Sequence, residues 1–144
     1  ACRKFAKQPE FSPELPVHYR ELTAWQKAME AAREVYRLAP LLPREEIYGM
    51  RSQLTRAAAS VPANIAEGWT REYPREKAQF LSIAQGSLAE ADTFITLCEQ
   101  IGWFPETETE RLRGLLAEVG KMLTVMRRNL RQEIGPSSGG LPNS

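Results

Sequence analysis

Two cysteines, Cys2 and Cys98, and a single histidine, His18, are all that the 144 residues hold of the commonest metal-binding and redox side chains. Two distant cysteines cannot build a disulfide framework. Cys98 lies in a helical apolar pattern and reads as a free thiol acting as a small buried hydrophobe, which suits a reducing, cytoplasmic setting. One histidine supports neither a multi-histidine metal site nor a His-based acid–base pair. No run approaches the roughly 18 apolar residues of a membrane span, and the opening "ACRKFAKQPEF" lacks the apolar core of a signal peptide, so neither a membrane partner nor export is expected. Charge of either sign is not in excess: 19 basic residues face 18 acidic ones for a net charge of +1, so any affinity for nucleic acid has to come from patches. A glycine-rich phosphate loop and a nucleophile elbow are missing. Glu67 and Glu90 stand alone, without the Glu-x-x-His pairs of a di-iron bundle. The expectation is a non-enzyme with no catalytic residue, no metal and no cofactor.

What is present is helical periodicity in four segments separated by prolines, in a chain long enough to bury about two thirds of its unfolded surface. The first segment opens at Thr23, a candidate N-cap with Gln26 as capping-box partner, and sets Trp25, Met29, Ala32, Val35 and Tyr36 on one face. The second starts at Pro43 and carries Ile47, Met50, Leu54, Ala57 or Ala58, Val61 and Ile65 in one stripe to Gly68. The third, after Pro74, spaces Phe80, Ala84, Ser87, Ala91, Phe94, Cys98 and Ile101 by alternating fours and threes, as in a coiled-coil seam. The fourth follows Pro105 with an acidic first turn, runs through Leu112, Leu115, Val119, Met122, Met126 and Leu130, and ends basic, as the helix dipole favours. Short connections between long helices favour antiparallel neighbours. The fold expected is all-α, an up-down-up-down four-helix bundle over residues 19–134, flanked by an extended N-terminal tail (1–18) and a flexible C-terminal tail (135–144) rich in Pro, Gly and Ser.

The second segment breaks a rule. Pro62, inside "ASVPANIAEGW", removes a backbone hydrogen bond and crowds the preceding turn, which costs roughly 3 kcal/mol in a helix interior. At about 100° per residue, Ser52, Thr55, Ala59, Ala63, Ala66 and Thr70 fall opposite the apolar stripe, where a solvated helix would carry lysines and glutamates. Between them runs a polar line of Gln53, Arg56, Ser60, Asn64, Glu67 and Arg71. Arg56 is the one charged residue from Ser52 through Ala66. Two readings remain open. Alanine is a strong helix former and Pro62 a plain kink; or the small residues Ser52, Thr55, Ala59, Ala63 and Ala66, with Pro62 bending the helix toward them, form a subunit interface. On the second reading water or a polar side chain meets the freed Ala58 carbonyl.

Two basic groups are candidates for nucleic-acid contact. Arg71, Arg75 and Lys77 flank the connection between the second and third helices, and Lys121, Arg127, Arg128 and Arg131 crowd the end of the fourth. Arginine suits phosphate because its donors are forked and always charged. Cations at a helix end also answer the dipole, and Glu72, Glu76 and Glu133 dilute both groups, so a solvated face is the competing reading. Aromatic residues do not interleave with these cations, which favours backbone contacts over base stacking.

The stretches "LPREEIYGMRSQLTRAAASVPANIAEGW" and "QFLSIAQGSLAEADTFITLCEQIGW" resemble the bacterial four-helix-bundle family of proteins encoded in intervening sequences of 23S ribosomal RNA genes, and "SVPANIAEG" is the most specific part. The likeness runs from about Tyr19 to Arg131. It implies a homopentameric ring and a kinship with accessory proteins of diversity-generating retroelements, which bind a reverse transcriptase and nucleic acid. A homo-oligomeric scaffold that binds RNA or DNA weakly, without sequence readout, follows as the expected function. The alternative is a protein-only interaction scaffold.

Overall fold

The computed structural model describes residues 18–135, so both expected tails, save His18 and Gly135, lie outside the described residues. A short 3₁₀ turn, Tyr19–Glu21, precedes α1 (Thr23–Leu38); 3₁₀ turns at Ala39–Leu41 and Arg44–Glu46 lead to α2 (Met50–Trp69), followed by α3 (Pro74–Ile101) and α4 (Glu106–Ile134). Each helix packs on its neighbours in sequence, and α1 closes the ring against α4. The result is an all-α, four-helix bundle without strands among the described residues.

Local chemistry sets the ends of these elements. Gly102, with φ of +94°, stops α3 in the left-handed conformation that glycine adopts without strain, and the Trp103 N–H returns to the Cys98 carbonyl at 2.9 Å. At α2 the start differs from expectation. The helix begins at Met50, not at Pro43, because the Glu46 carboxylate accepts the Met50 N–H at 2.9 Å beside Gly49 and so caps the helix there. Ile47 is left exposed. The capping box at α1 does not form either: Thr23 is itself helical, and the Gln26 side-chain amide donates to the Arg20 carbonyl at 2.8 Å.

In α2 the expected stripe is the core, with Leu54, Ala57, Ala58, Val61 and Ile65 buried, whereas in α1 and parts of α3 and α4 the core lies about one residue around from the large side chains of the stripe. In α1 it is Ala24, Ala28, Ala31, Val35 and Leu38, while Trp25 and Met29 are half-buried and Tyr36 is exposed. In α3 it is Leu81, Ala84, Ala91, Ile95 and Cys98; Phe80, Ser87 and Phe94 sit half-buried to one side, and Ile101 is exposed. In α4, Leu112, Leu115, Val119 and Leu130 are buried as expected, joined by Leu116 and Leu123, while Met122 and Met126 are half-buried. Small residues at central positions let four helices approach closely, and the bulky ones fill the grooves between pairs.

Nowhere is the approach closer than at α2 and α3. A Cβ built on Gly68 would stand 2.7 Å from the Phe80 Cβ and 3.3 Å from the Lys77 carbonyl. Further along the same seam, the Ser60 and Ser87 hydroxyls meet at 2.8 Å, and the Asn64 amide donates to the Ser60 carbonyl and hydroxyl at 2.8 and 2.9 Å. Ser60, at the middle of the polar line of α2, therefore faces α3 with Asn64 bonded to it, while Gln53, Arg56, Glu67 and Arg71 are exposed. Asn64 turns to Ser60 rather than to the carbonyl freed by Pro62, and α2 runs unbroken through the proline.

Gly68→Ala is expected to lose stability by about 1–2 kcal/mol, since forcing the α3 backbone away outweighs the roughly 1 kcal/mol that alanine gains in a helix interior. Gly114→Ala, where an added methyl meets open space, is expected to gain up to about 1 kcal/mol. Urea unfolding of the two variants against the parent checks both signs.

Candidate interaction surfaces

The small-residue face of α2 adjoins a groove. Its floor and walls are Tyr19, Trp25, Met29, Ala32 and Tyr36 on one side and Ala59, Pro62, Ala63 and Ala66 on the other, enclosing about 400 Å³ with Arg33 on the rim. Ala59 and Ala63 are exposed, Ser52, Thr55 and Ala66 half-buried, and Pro62 buried. Ser52 and Thr55 lie beyond the groove, and the Thr55 hydroxyl is spent on the Arg51 and Ser52 carbonyls at 2.8 and 3.2 Å. The stripe expected to be the core of α1, Trp25 to Tyr36, thus becomes the opposite wall of this groove. Proline suits the site: with no N–H and a compact ring, Pro62 presents apolar surface without lengthening the side-chain wall.

Antiparallel alternation carries the start of α1, the α2–α3 connection and the end of α4 to one end of the bundle, which brings the two basic groups together. Several of these cations have work within the chain. Arg71 pairs with Glu67 at 3.0 Å and lies 4.8 Å over the Phe80 ring. The Lys77 ammonium donates to the carbonyl of Trp69, the last residue of α2, at 2.8 Å and sits 4.8 Å over the Trp69 ring; burial pulls its pKa down, with Glu133 opposing. Arg127 donates to Gln85, whose amide donates in turn to Thr124 at 3.1 Å. Arg75, Arg128 and Arg131 are exposed and make no ion pair among the described residues. The register fixed by Gln85 and Thr124 puts Arg131 level with the start of α3, near Arg75. Lys121 is exposed but stands ten residues before Arg131, about 15 Å along α4, outside the cluster.

Along the α1–α4 seam cations are matched, whereas Arg33, Arg44, Arg51 and Arg56 make no ion pair among the described residues. Lys27 meets Glu118 at 2.6 Å, Arg37 meets Glu108 at 3.1 Å, and Arg111 reaches Glu30 and Glu34 at 3.6 Å, a ladder between α1 and α4. Such exposed pairs contribute at most about 1 kcal/mol each. A stronger tie joins α3 and α4. Glu99, only 10% exposed, accepts from Arg113 at 2.7 Å and from the buried Thr109 hydroxyl at 2.6 Å, while Arg113 also donates to Thr96 at 3.2 Å. The Arg113 guanidinium holds the Glu99 carboxyl below its ordinary range. Residue-pair motifs gave no sign of this cluster, because each of its bonds between α3 and α4 joins residues ten or more apart.

No three His, Cys, Asp or Glu side chains gather as metal ligands would, among the described residues. Burial pushes the Cys98 thiol up to about 11, which leaves it a poor nucleophile at neutral pH. Within the described residues no helix is long and apolar enough to cross a membrane.

Fold and surfaces together define an antiparallel helical bundle with an apolar groove on one edge and a basic end. The chain belongs to the 23S rRNA-intervening sequence protein family, whose pattern it matches over residues 20–125. A crystal structure of a protein of unknown function from the S23 ribosomal protein family of Bacteroides thetaiotaomicron VPI-5482 superposes with a TM-score of 0.67; it is 22% identical, and the match covers 73% of this chain and 98% of that one. That likeness speaks for the fold. No curated protein matches the chain.

Glu99→Gln is expected to lower stability by about 2 kcal/mol at neutral pH. The folded-state carboxyl titrates below the unfolded value of about 4.3, so its contribution is present above that pH and is lost as pH falls through the folded-state value. Urea midpoints of parent and variant should therefore converge as the pH is taken below about 4.

Proposed function

We propose that the protein is a homo-oligomeric scaffold, without chemistry of its own, that assembles through the α1–α2 edge and presents its basic end to nucleic acid. One observation carries the assembly: α2 exposes Ala59 and Ala63 beside an almost wholly apolar groove, where a soluble monomer would show charge. Small side chains there allow another helix to approach closely. The family resemblance supports a pentamer as the assembled form and service as an accessory to a reverse transcriptase, in the cytoplasm.

A second observation favours nucleic acid over a protein-only role. The ion-pair ladder neutralises cations along the α1–α4 seam, while Arg75, Arg128 and Arg131 stay unpaired at one end. Three free arginines on one copy bind phosphate feebly, but repetition around an assembly multiplies the contacts, each adding to salt-dependent affinity.

Ala63→Arg places a long charge in the groove edge and is expected to dissociate the assembly with helix content unchanged; sedimentation at low micromolar concentration reads the mass, and a variant that stays assembled removes this face from the contact. Arg75→Ala/Arg128→Ala/Arg131→Ala, checked to assemble like the parent, should weaken binding to RNA and duplex DNA and flatten the plot of log affinity against log salt by about 0.9 for every duplex phosphate no longer neutralised. Equal slopes clear these arginines. A parent that binds neither nucleic acid at low salt leaves the protein-only scaffold.

A further inference from the structure

Tyr48 is the most exposed large apolar side chain among the described residues, at 96%, and Ile47 beside it is exposed as well. The segment that carries them is held. The Gly49 N–H donates to the Glu46 carbonyl at 3.1 Å and the Met50 N–H to the Glu46 carboxylate at 2.9 Å, so the pair stands out from the start of α2 as a fixed knob. At the other end of α2 lies an apolar cleft that no part of the described chain fills. It encloses about 460 Å³ between Leu22, Trp69 and the Met122, Val125 and Met126 face of α4, with Lys121 at its edge. That volume falls within the roughly 300–1,000 Å³ of binding clefts. The Lys77 ammonium sits 4.8 Å over the Trp69 ring, and the thioether side chains adapt to the shape of what they meet. The knob cannot fill the cleft of its own chain. The twenty residues of α2 stand between them, about 30 Å at roughly 1.5 Å per residue. Charge agrees: Lys121, outside the basic cluster, and Glu45, three residues before Tyr48, are exposed without an ion pair among the described residues, while Arg44 lies one residue further from Tyr48.

We propose that Ile47 and Tyr48 of one copy insert between Trp69, Met122 and Met126 of a second copy, with the Glu45 carboxylate meeting the Lys121 ammonium. The occupant is a second copy because one chain carries both halves of the contact and holds them too far apart to join them itself. This contact is separate from the α1–α2 edge and does not rest on it. Tyrosine suits the task, since its ring fills an apolar cleft while its hydroxyl stays at the wet margin. A buried aromatic covers about 150–250 Å², so one knob falls well short of the roughly 1,200 Å² of a stable interface and gives a weak contact. The contact joins unlike surfaces. It therefore closes when two antiparallel copies exchange knobs, or else leads on from copy to copy.

The experiment uses the full chain carrying Ala63→Arg, to set the α1–α2 edge aside. Copies with labelled Met methyls are mixed with unlabelled copies at submillimolar concentration. Isotope-filtered nuclear Overhauser contacts are expected from the Tyr48 ring of unlabelled copies to the Met122 and Met126 methyls of labelled ones, and Tyr48→Ser should abolish them. Sedimentation should find self-association weakened at least about tenfold by Tyr48→Ser, which removes the knob, and by Val125→Glu, which puts a carboxylate in the cleft. Both positions are exposed, so the core is left as it is. A mixture of the two variants should form a one-to-one pair, because the first keeps a whole cleft and the second a whole knob. Absence of contacts between copies overturns the proposal, as does an association constant that neither variant changes. A mixture that associates no better than either variant alone overturns it too.

Discussion

The close crossing of α2 and α3 at Gly68 is the constraint from which the other surfaces follow. With no side chain at that position, the α3 backbone seats against α2 within one turn of the Thr70–Tyr73 connection. Lys77 then reaches back to the Trp69 carbonyl and Arg71 settles over Phe80, so these two cations serve as clamps beside the turn. Once this pair is set, Ser60 and Ser87 meet along the seam with Asn64 bonded to Ser60. Gln53, Arg56 and Glu67 stay exposed at the margin of that seam. The arc of α2 beside α1 is left with small residues, and Ala59 and Ala63 are exposed there.

That arrangement also explains why α1 keeps its large residues at the margin. Alanines at 24, 28 and 31 bring α1 close to the bundle axis, and Trp25, Met29 and Tyr36 are left to wall a groove that α2 cannot fill. Interfaces favour aromatic and Met side chains at their centres and lack charge there. The groove has that composition.

Helix number, order and the positions of the connections were legible from periodicity and proline spacing, because prolines and short links leave few alternatives. The face of α2 was legible as it stands, with Leu54, Val61 and Ile65 buried, and Ala84, Ala91 and Cys98 of the α3 stripe are buried too. Periodicity weighted by size also pointed to Trp25, Phe94 and Met126, which are half-buried, because in a tightly crossed bundle small residues such as Ala24 and Ala28 occupy the axis and bulk moves to the grooves. Side-chain caps escaped the sequence for another reason: Glu46 displaces the start of α2 to Met50 by a carboxylate contact that no propensity encodes. The pairing of Glu99 with Thr109 and Arg113, and the engagement of Arg127 by Gln85, depend on which helices are neighbours. Small residues opposite an apolar stripe were readable as a surface, since the absence of charge is itself a sequence signal.

The two surfaces are not equal claims on function. At the basic end Arg75, Arg128 and Arg131 are exposed without an ion pair among the described residues, close in sequence to Glu72, Glu76 and Glu133, and at physiological salt exposed charges more than about 8 Å apart barely reinforce one another. Phosphate binding by one copy is therefore weak whatever the arginines' geometry. The apolar groove needs no repetition to matter, because burying it gains free energy in proportion to area and independently of salt. In the scaffold proposed above, assembly would therefore come first in the order of causes: the edge of α1 and α2 would set how many copies stand together, and that number would decide whether a modest patch becomes a surface able to hold a polyanion.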